Sequence, residues 1–369
     1  MNKTKLNFSV LIPDSESDTT LALQVVYCLS AIGKVKVYVM SSEKKNILKY
    51  SKHVNYFFYN AFSSELEWIE YINKVVRTHD IDLIMPIYEY GGHRILKNLN
   101  KVEQKNKLCV LPKLEDFNNA RNKGLLYEFM TQHSIPCPLS KVLKSRADLN
   151  TLSIDYPLIA KPVEGYAGGR GIKVLNNHND LLQYYDRMST KTQIIVQNYI
   201  KGYDISCNVL CNNGRILAYT LQKANNQNDN LSPLISFKFF DNLQLYEILK
   251  SLMQKLNWSG LANIDVRFDE KDNSFKVLEI NPRCWFNIDA SAIANVNFPF
   301  LYALKSLNFE IVPSKANTFQ YYNLKGLFKK ILKNPLIVFN YNFLKKQTPL
   351  FFALGDPLPL IYKFYWRKS

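Results

Sequence analysis

The nine residues Phe275-Lys-Val-Leu-Glu-Ile-Asn-Pro-Arg283 constrain this chain more than any other stretch. They alternate as a β-strand does, so Glu279 and Asn281 share one face, with Arg283 just beyond. Upstream lies a second strand pattern, Asn263-Ile-Asp-Val-Arg-Phe268, and a polar turn from Glu270 to Ser274 separates the two. A hairpin centred on Asp272 sets Asp265 directly opposite Glu279. Two carboxylates and an amide oxygen then meet on one patch of one sheet. Hard oxygen donors of this kind suit Mg²⁺, which shares its shell with substrate phosphates. An ordinary hairpin with a solvated polar face has the same pattern, so the metal reading rests on what accompanies it.

The chain has 369 residues, of which 47% are hydrophobic, enough for a large core divided among two or three domains. No run of about 18 apolar residues occurs, so no transmembrane helix is expected. The N-terminal segment has only a brief apolar run before Asp14-Ser15-Glu16-Ser17-Asp18 and reads as a first strand, not a signal peptide. Six cysteines (Cys28, Cys109, Cys137, Cys207, Cys211, Cys284) form no CxxC pair and no His/Cys cluster to suggest zinc, and they read as reduced, mostly buried thiols of a cytoplasmic protein. Net charge is +16, and Ser314 to Ser369 holds ten Lys or Arg against one acid, Asp356, interleaved with Phe, Tyr, Leu and Trp. Such a segment reads as a surface for anionic lipid or a lipid-linked substrate, or equally as a helical tail packed on the body with lysines outward. No helix-turn-helix, RNA-binding or zinc-finger signature accompanies the charge, so nucleic acid is not an expected partner.

Residues 1–112 alternate apolar runs (Phe8–Ile12, Val35–Met40, Asn55–Tyr59, Asp82–Pro86, Leu108–Leu111) with helical stretches (Thr20–Ile32, Ser64–Thr78, His93–Asn100). That order predicts a parallel, doubly wound α/β sheet, with Glu89, Tyr90, Gly91 and Gly92 in a loop at a strand's carboxyl end. A helix Asn118–His133 leads into residues 113–312, whose hairpin-like strand pairs and helices predict an α+β domain. Residues 313–369 form the basic, aromatic C-terminal extension. The Asn- and Gln-rich stretch 223–232 reads as a mobile loop.

A strand, Pro157-Leu-Ile-Ala-Lys-Pro162, carries Lys161 near its end and runs into Gly165-Tyr-Ala-Gly-Gly-Arg-Gly171 and a further strand, Ile172–Leu175. Glycines at this density let backbone N–H groups turn around an anion, and Lys161 adds a point charge for a phosphate. The loop runs into a strand, not a helix, so this is neither a P-loop nor a dinucleotide fingerprint. Next, Gln197-Asn198-Tyr199-Ile200 closes a strand where backbone groups of Asn198, Tyr199 and Ile200 could meet an adenine edge, and Asp204 stands a few residues on.

Taken in order, Arg121 and Lys123 in a helix, Ile-Pro-Cys-Pro at 135–138, Lys161 before a glycine-rich hairpin, Gln197 to Asp204, Asp265, and Glu279-Ile-Asn-Pro-Arg283 resemble the ATP-grasp superfamily of carboxylate–amine ligases, the group like the carbamoyl phosphate synthase large subunit. The resemblance spans roughly residues 5–312. It implies a pre-ATP-grasp sheet followed by an ATP-grasp fold of two α+β subdomains. It further implies that Lys123 (or Arg121) and Lys161 bind ATP phosphates, and that Gly168, Gly169 and Gly171 close over the γ-phosphate. By the same resemblance Gln197, Asn198, Tyr199 and Ile200 line the adenine slot and Asp204 meets the ribose, in place of a more usual Glu. Asp265, Glu279 and Asn281 would hold one or two Mg²⁺, with Mn²⁺ as an alternative, and Arg283, Lys161 and Glu279 would serve the chemistry. The activity implied is activation of a carboxylate as an acyl-phosphate and its transfer to an amine, as in amino-acid ligation or surface-polysaccharide modification. A carboxylate kinase, a carboxylase-like enzyme and an inactive nucleotide-binding protein are the alternatives. Many such proteins are dimers, so a homodimer is expected on the same ground. The bulky Cys284-Trp285-Phe286, where the family often has small residues, predicts a reshaped acceptor pocket.

Overall fold

The computed structural model describes residues 6–14, 19–164, 171–188, 192–224, 235–312 and 316–366. The alternation of apolar runs and helices in the N-terminal third produces four parallel strands, β1 (Asn7–Ile12), β2 (Lys34–Ser41), β3 (Val54–Tyr59) and β4 (Leu83–Ile84), in the order β3-β2-β1-β4. The last two expected strands are shorter than their apolar runs suggest, because the backbone's hydrogen bonds go elsewhere. Asp82–Pro86 keeps only two strand residues, since the N–H groups of Ile87 and Tyr88 turn to the buried carboxylate of Asp14. Leu108–Leu111 keeps a single bridge to Ile84. Its Val110 N–H donates to Ser306 Oγ, and its Val110 carbonyl accepts from Tyr302 Oη.

Gly91 and Gly92 do not form a ligand loop. They lie inside the helix Glu89–Lys97, which starts four residues earlier than the spacing predicts. A Cβ at Gly91 would stand 2.2 Å from Asp14 Oδ2, and one at Gly92 3.3 Å from the Phe117 ring, so the pair records close packing over Asp14. The two residues before them are also engaged within the protein. Glu89 is bonded to Arg121, and Tyr90 Oη donates to the Asp14 carbonyl.

Two antiparallel sheets complete the fold. The smaller contains β5 (Ser140–Leu143), β6 (Leu158–Pro162), β7 (Lys173–Leu175) and β8 (Ile194–Asn198), in the order β5-β8-β6-β7. The larger contains β9 (Gly202–Asn212), β10 (Arg215–Ala224), β11 (Ser236–Phe240), β12 (Gly260–Asp269), β13 (Ser274–Asn281) and β14 (Gln320–Tyr322), in the order β13-β12-β9-β10-β11-β14. Its two faces differ sharply. Odd-numbered residues of β9, including Ile205, Cys207, Val209 and Cys211, pack beneath Leu245, Leu249, Leu252 and Met253 of the helix Leu243–Lys255. The even-numbered residues face the other way; Asp204, Ser206, Asn208 and Asn212 are polar, while Leu210 joins the N-terminal core, an alternation with the period of two expected of a strand. Residues 225–234, which include most of the Asn- and Gln-rich stretch, lie outside the described residues.

Candidate active site

The polar face of the larger sheet is set by a bulge. From Asp269↔Ser274 to Val266↔Val277 the hairpin is centred between Lys271 and Asp272, a register that would place Asp265 opposite Leu278. An extra residue at Leu278 shifts the pairing by one, so Asp265 meets Glu279 and Asn263 meets Asn281. The opposition expected from a turn centred on Asp272 is therefore present, but the bulge produces it. β12 also pairs with β9, which brings Asp204, Ser206 and Asn208 onto the same face.

Two lysines close on this face from other elements. Asn122 interrupts the expected helix Asn118–His133, splitting it into Leu114–Arg121 and Lys123–Gln132, and caps the second by accepting from the Gly124 and Leu125 N–H groups. The break sets Lys123 at the first helical position, where its Nζ lies 3.5 Å from Glu279 Oε2. Lys161, on β6 of the smaller sheet, is buried and reaches across to the bulge, 3.5 Å from the Leu278 carbonyl. Arg121 is engaged elsewhere, 2.9 Å from Glu89 and 3.5 Å from Glu164.

Burial dominates the electrostatics. It lowers the Lys161 ammonium to about 8, with Lys123 adding to the effect and Glu279 opposing it. For Glu279, burial alone raises the pKa, but Lys161 and Lys123 outweigh it and hold the carboxylate ionised, well below its usual range. For Asp265 the nearby cation does not outweigh burial. Burial and then the Glu279 charge push it up to about 8, although Arg283 pulls the other way. Ionising both facing carboxylates together is therefore disfavoured when no cation lies between them. Two facing carboxylates that resist ionising together fit a divalent cation, whose charge removes the conflict. Among the described residues no cluster of three or more His, Cys, Asp or Glu occurs, so a cation here would complete its shell with amide oxygen and phosphate.

Amide side chains hold the surrounding geometry. Asn281 Nδ2 donates to Asn263 Oδ1 (3.2 Å) and Asp265 Oδ2 (3.3 Å), and Asn263 Nδ2 donates to Ser206 Oγ (2.7 Å) and Asn208 Oδ1 (3.1 Å). That leaves Asn281 Oδ1 facing Arg283, whose Nη2 donates to it at 3.2 Å. The other Arg283 terminus donates to the Cys284 carbonyl. Cys284 and Trp285 are buried in the N-terminal core, where Trp285 packs edge-on against Phe298. Only Phe286 of the bulky trio is exposed.

The link from β8 to β9 differs in part from expectation. Gln197 is buried and its Nε2 donates to Ser140 Oγ. The N–H of Asn198 is bonded to the Leu139 carbonyl and that of Tyr199 to the Pro157 carbonyl, so neither is free for a base edge. The Ile200 carbonyl accepts from Arg267 Nε at 2.7 Å, and Arg267 also donates to the Gly202 carbonyl and to Asp204. Asp204 is thus paired within the protein. Gly202 sits at φ +155°, and a Cβ there would come within 1.8 Å of the Phe268 carbonyl oxygen, so the link crosses β12 at backbone contact. Gly171 is described, with its carbonyl accepting from Tyr184 Oη. Gly168 and Gly169 lie outside the described residues.

Arg267 is the residue that sequence reasoning missed. Its role depends on the β9–β12 pairing, which the arithmetic of the β12–β13 hairpin does not give. Arg267→Ala removes three bonds to the link and is expected to cost about 2–3 kcal/mol of stability and to weaken nucleotide binding several-fold. Thermal melts with and without ADP check this. An ADP affinity equal to wild type would make the clamp purely structural.

The ATP-grasp domain family matches residues 120–285. A carbamoyl phosphate synthase large chain from Agathobacter rectalis is 23% identical over 209 residues, covering 53% of this chain and 19% of that one. A D-aspartate ligase from Enterococcus faecium is 22% identical over 282 residues, covering 69% of this chain and 66% of that one. The chain thus spans less than two thirds of the length of either relative. N5-carboxyaminoimidazole synthetase from Staphylococcus aureus, solved in complex with ADP, superposes with a TM-score of 0.72 at 17% identity, covering 92% of this chain and 88% of that one. The N-terminal parallel sheet and the two antiparallel sheets share that protein's fold, and residues 120–285 match the model of the ATP-grasp domain family.

Proposed function

We propose that this chain is an ATP-dependent ligase that activates a carboxylate as an acyl-phosphate and joins it to an amine, with release of ADP and phosphate. The observation that carries the reading is the convergence of Lys161, Lys123, Glu279 and Asp265 on one polar sheet face beside the β8–β9 link. The relative named D-aspartate ligase makes amino acids the first substrates to try.

In this reading Lys161 and Lys123 bind the phosphates, Ile200 and its neighbours line the adenine slot, and Asp265, Glu279 and Asn281 hold one or two Mg²⁺. When bound, Mg²⁺ would neutralise charge on the phosphoryl oxygens during transfer. A carboxylate oxygen attacks the γ-phosphorus, the bond to the ADP oxygen breaks, and ADP leaves. The amine nitrogen then attacks the acyl carbon, phosphate departs and the nitrogen loses a proton. Arg283, fixed through Asn281 and the Cys284 carbonyl, presents its remaining N–H donors to the oxyanion. Lys161 gains a lasting positive charge once phosphate lies beside it, since an anion offsets the burial that lowers its pKa. The expected peripheral contact with a membrane concerns a different surface, residues 324–366.

Calorimetric titration of ATP with and without Mg²⁺ is the first test, followed by ADP release with panels of amino acids. Mg²⁺-dependent binding and amine-dependent ADP release are expected. Release stimulated by bicarbonate alone would replace the ligase reading with a carboxylase-like one, and failure to bind ATP would remove both.

A further inference from the structure

We propose that the outward face of residues 324–366 is a docking surface for an anionic lipid bilayer. The segment is folded and anchored on its inner side. Leu327 packs with Phe343 and Leu344, the Phe352 ring stacks on Tyr27, and the Tyr362 ring stacks on Tyr50 at 3.6 Å between centroids. The apolar residues left outside are therefore not those of an unattached tail. Twelve of the 25 exposed large hydrophobic side chains among the described residues fall in these 43 positions, about an eighth of the chain.

Apolar residues here extend beyond the part of each helix that the body covers, whereas the outward side of a usual surface helix is polar. In the helix Leu324–Lys333, Phe328 (62% exposed) and Leu332 (67%) lie on the outward side among Lys325, Lys329 and Lys333. In the helix Leu358–Trp366, Ile361 and Phe364 (58% and 69% exposed) face outward, whereas Tyr362 and Lys363 reach inward to Tyr50 and Thr20.

Charge selects the occupant. The segment holds seven lysines and one acid, Asp356. That acid is buried, accepting from Ser51 Oγ and the Lys52 N–H, so the surface carries no exposed carboxylate. A second copy of the same face would set lysines against lysines. Aliphatic and aromatic side chains with lysines beside them match the boundary of acyl chains and anionic headgroups, where lysine stems lie along apolar surface and their ammonium groups reach phosphate. No helix among the described residues is long and apolar enough to cross a membrane, so the contact is peripheral.

The test is co-sedimentation of the full chain with phosphatidylcholine vesicles, with and without phosphatidylglycerol. It is independent of the ligase reading, and melting by circular dichroism checks that each variant is folded. Wild type is expected to bind only the anionic vesicles. Two triple variants, Lys325→Glu/Lys329→Glu/Lys333→Glu and Phe328→Ser/Leu332→Ser/Phe364→Ser, are each expected to bind at least about tenfold more weakly. Three results would overturn the proposal: no binding by wild type, equal binding to both vesicle types, or undiminished binding by the serine variant. Wild type that ignores vesicles but forms a dimer, dissociated by the serine substitutions, would assign the face to a second copy instead.

Discussion

Glu279→Gln is expected to lower the rate of ADP release by a factor on the order of a hundred or more while leaving the fold intact. The exchange keeps shape and removes one charge at the point where four titratable groups, Lys123, Lys161, Asp265 and Glu279, meet. Lys123 lies 3.5 Å from that carboxylate, and Lys161 is kept cationic against its burial chiefly by it. Without it, Lys161 loses the charge that opposes its desolvation, and an oxygen donor placed opposite Asp265 becomes neutral. Charge stabilisation by a bound divalent cation is worth several kcal/mol, and each 1.36 kcal/mol is tenfold in rate, which sets the magnitude. Removing one partner of a buried ion pair also leaves the other uncompensated, so the melting temperature should fall as well. Two readouts separate these effects: steady-state ADP release at saturating ATP, and calorimetric ATP affinity with and without Mg²⁺. Turnover near wild type would take Glu279 out of the metal assignment.

The parts of this site that were legible in the sequence are those governed by short-range rules. Strand alternation puts Glu279 and Asn281 on one face, and a polar turn between two strand patterns marks the β12–β13 hairpin, although that turn alone would leave Asp265 opposite Leu278. The bulge at Leu278 was not legible, because no Gly or other local signal marks it. Equally hidden was the helix break at Asn122, which aims Lys123 at Glu279: Asn is tolerated inside helices, and only its capping bonds show that it begins one. Arg267 and Asp14 lay beyond reach for a different reason. Each acts on backbone 65 to 74 residues away, through sheet pairing or the packing of a helix start, so nothing in their own neighbourhood reveals the role. Gly91 and Gly92 misled in the opposite sense. A position at a strand's carboxyl end is where ligand loops of such sheets lie, yet here the glycine pair sits in a helix and answers the close approach of Asp14 and Phe117.

Asp265→Asn is expected to act in opposite directions on stability and on ligand binding. Burial and the facing Glu279 raise the Asp265 pKa to about 8 in the folded, metal-free protein, against about 3.9 in the unfolded chain. The folded state therefore holds a proton that the unfolded chain has released. Its contribution to stability is complete below about pH 4 and is lost as pH rises toward 8, with a slope of at most about 1.4 kcal/mol per pH unit. Asparagine cannot ionise and can still accept from Asn281 Nδ2, so the variant escapes this loss and should melt higher than wild type in metal-free buffer near pH 9. Adding Mg²⁺ with ADP should reverse the order. A cation between the two carboxylates relieves the same conflict in wild type, where binding of a ligand to the folded state adds stability by mass action, whereas the variant has lost a charged donor and gains little. The crossing of the two melting curves is the expected signature of a site whose strain exists for its ligand. A variant that melts lower than wild type near pH 9 without metal would show instead that attraction between Asp265 and Arg283 outweighs the repulsion from Glu279. The face would then be a structural ion cluster, and the metal assignment would rest on Glu279 alone.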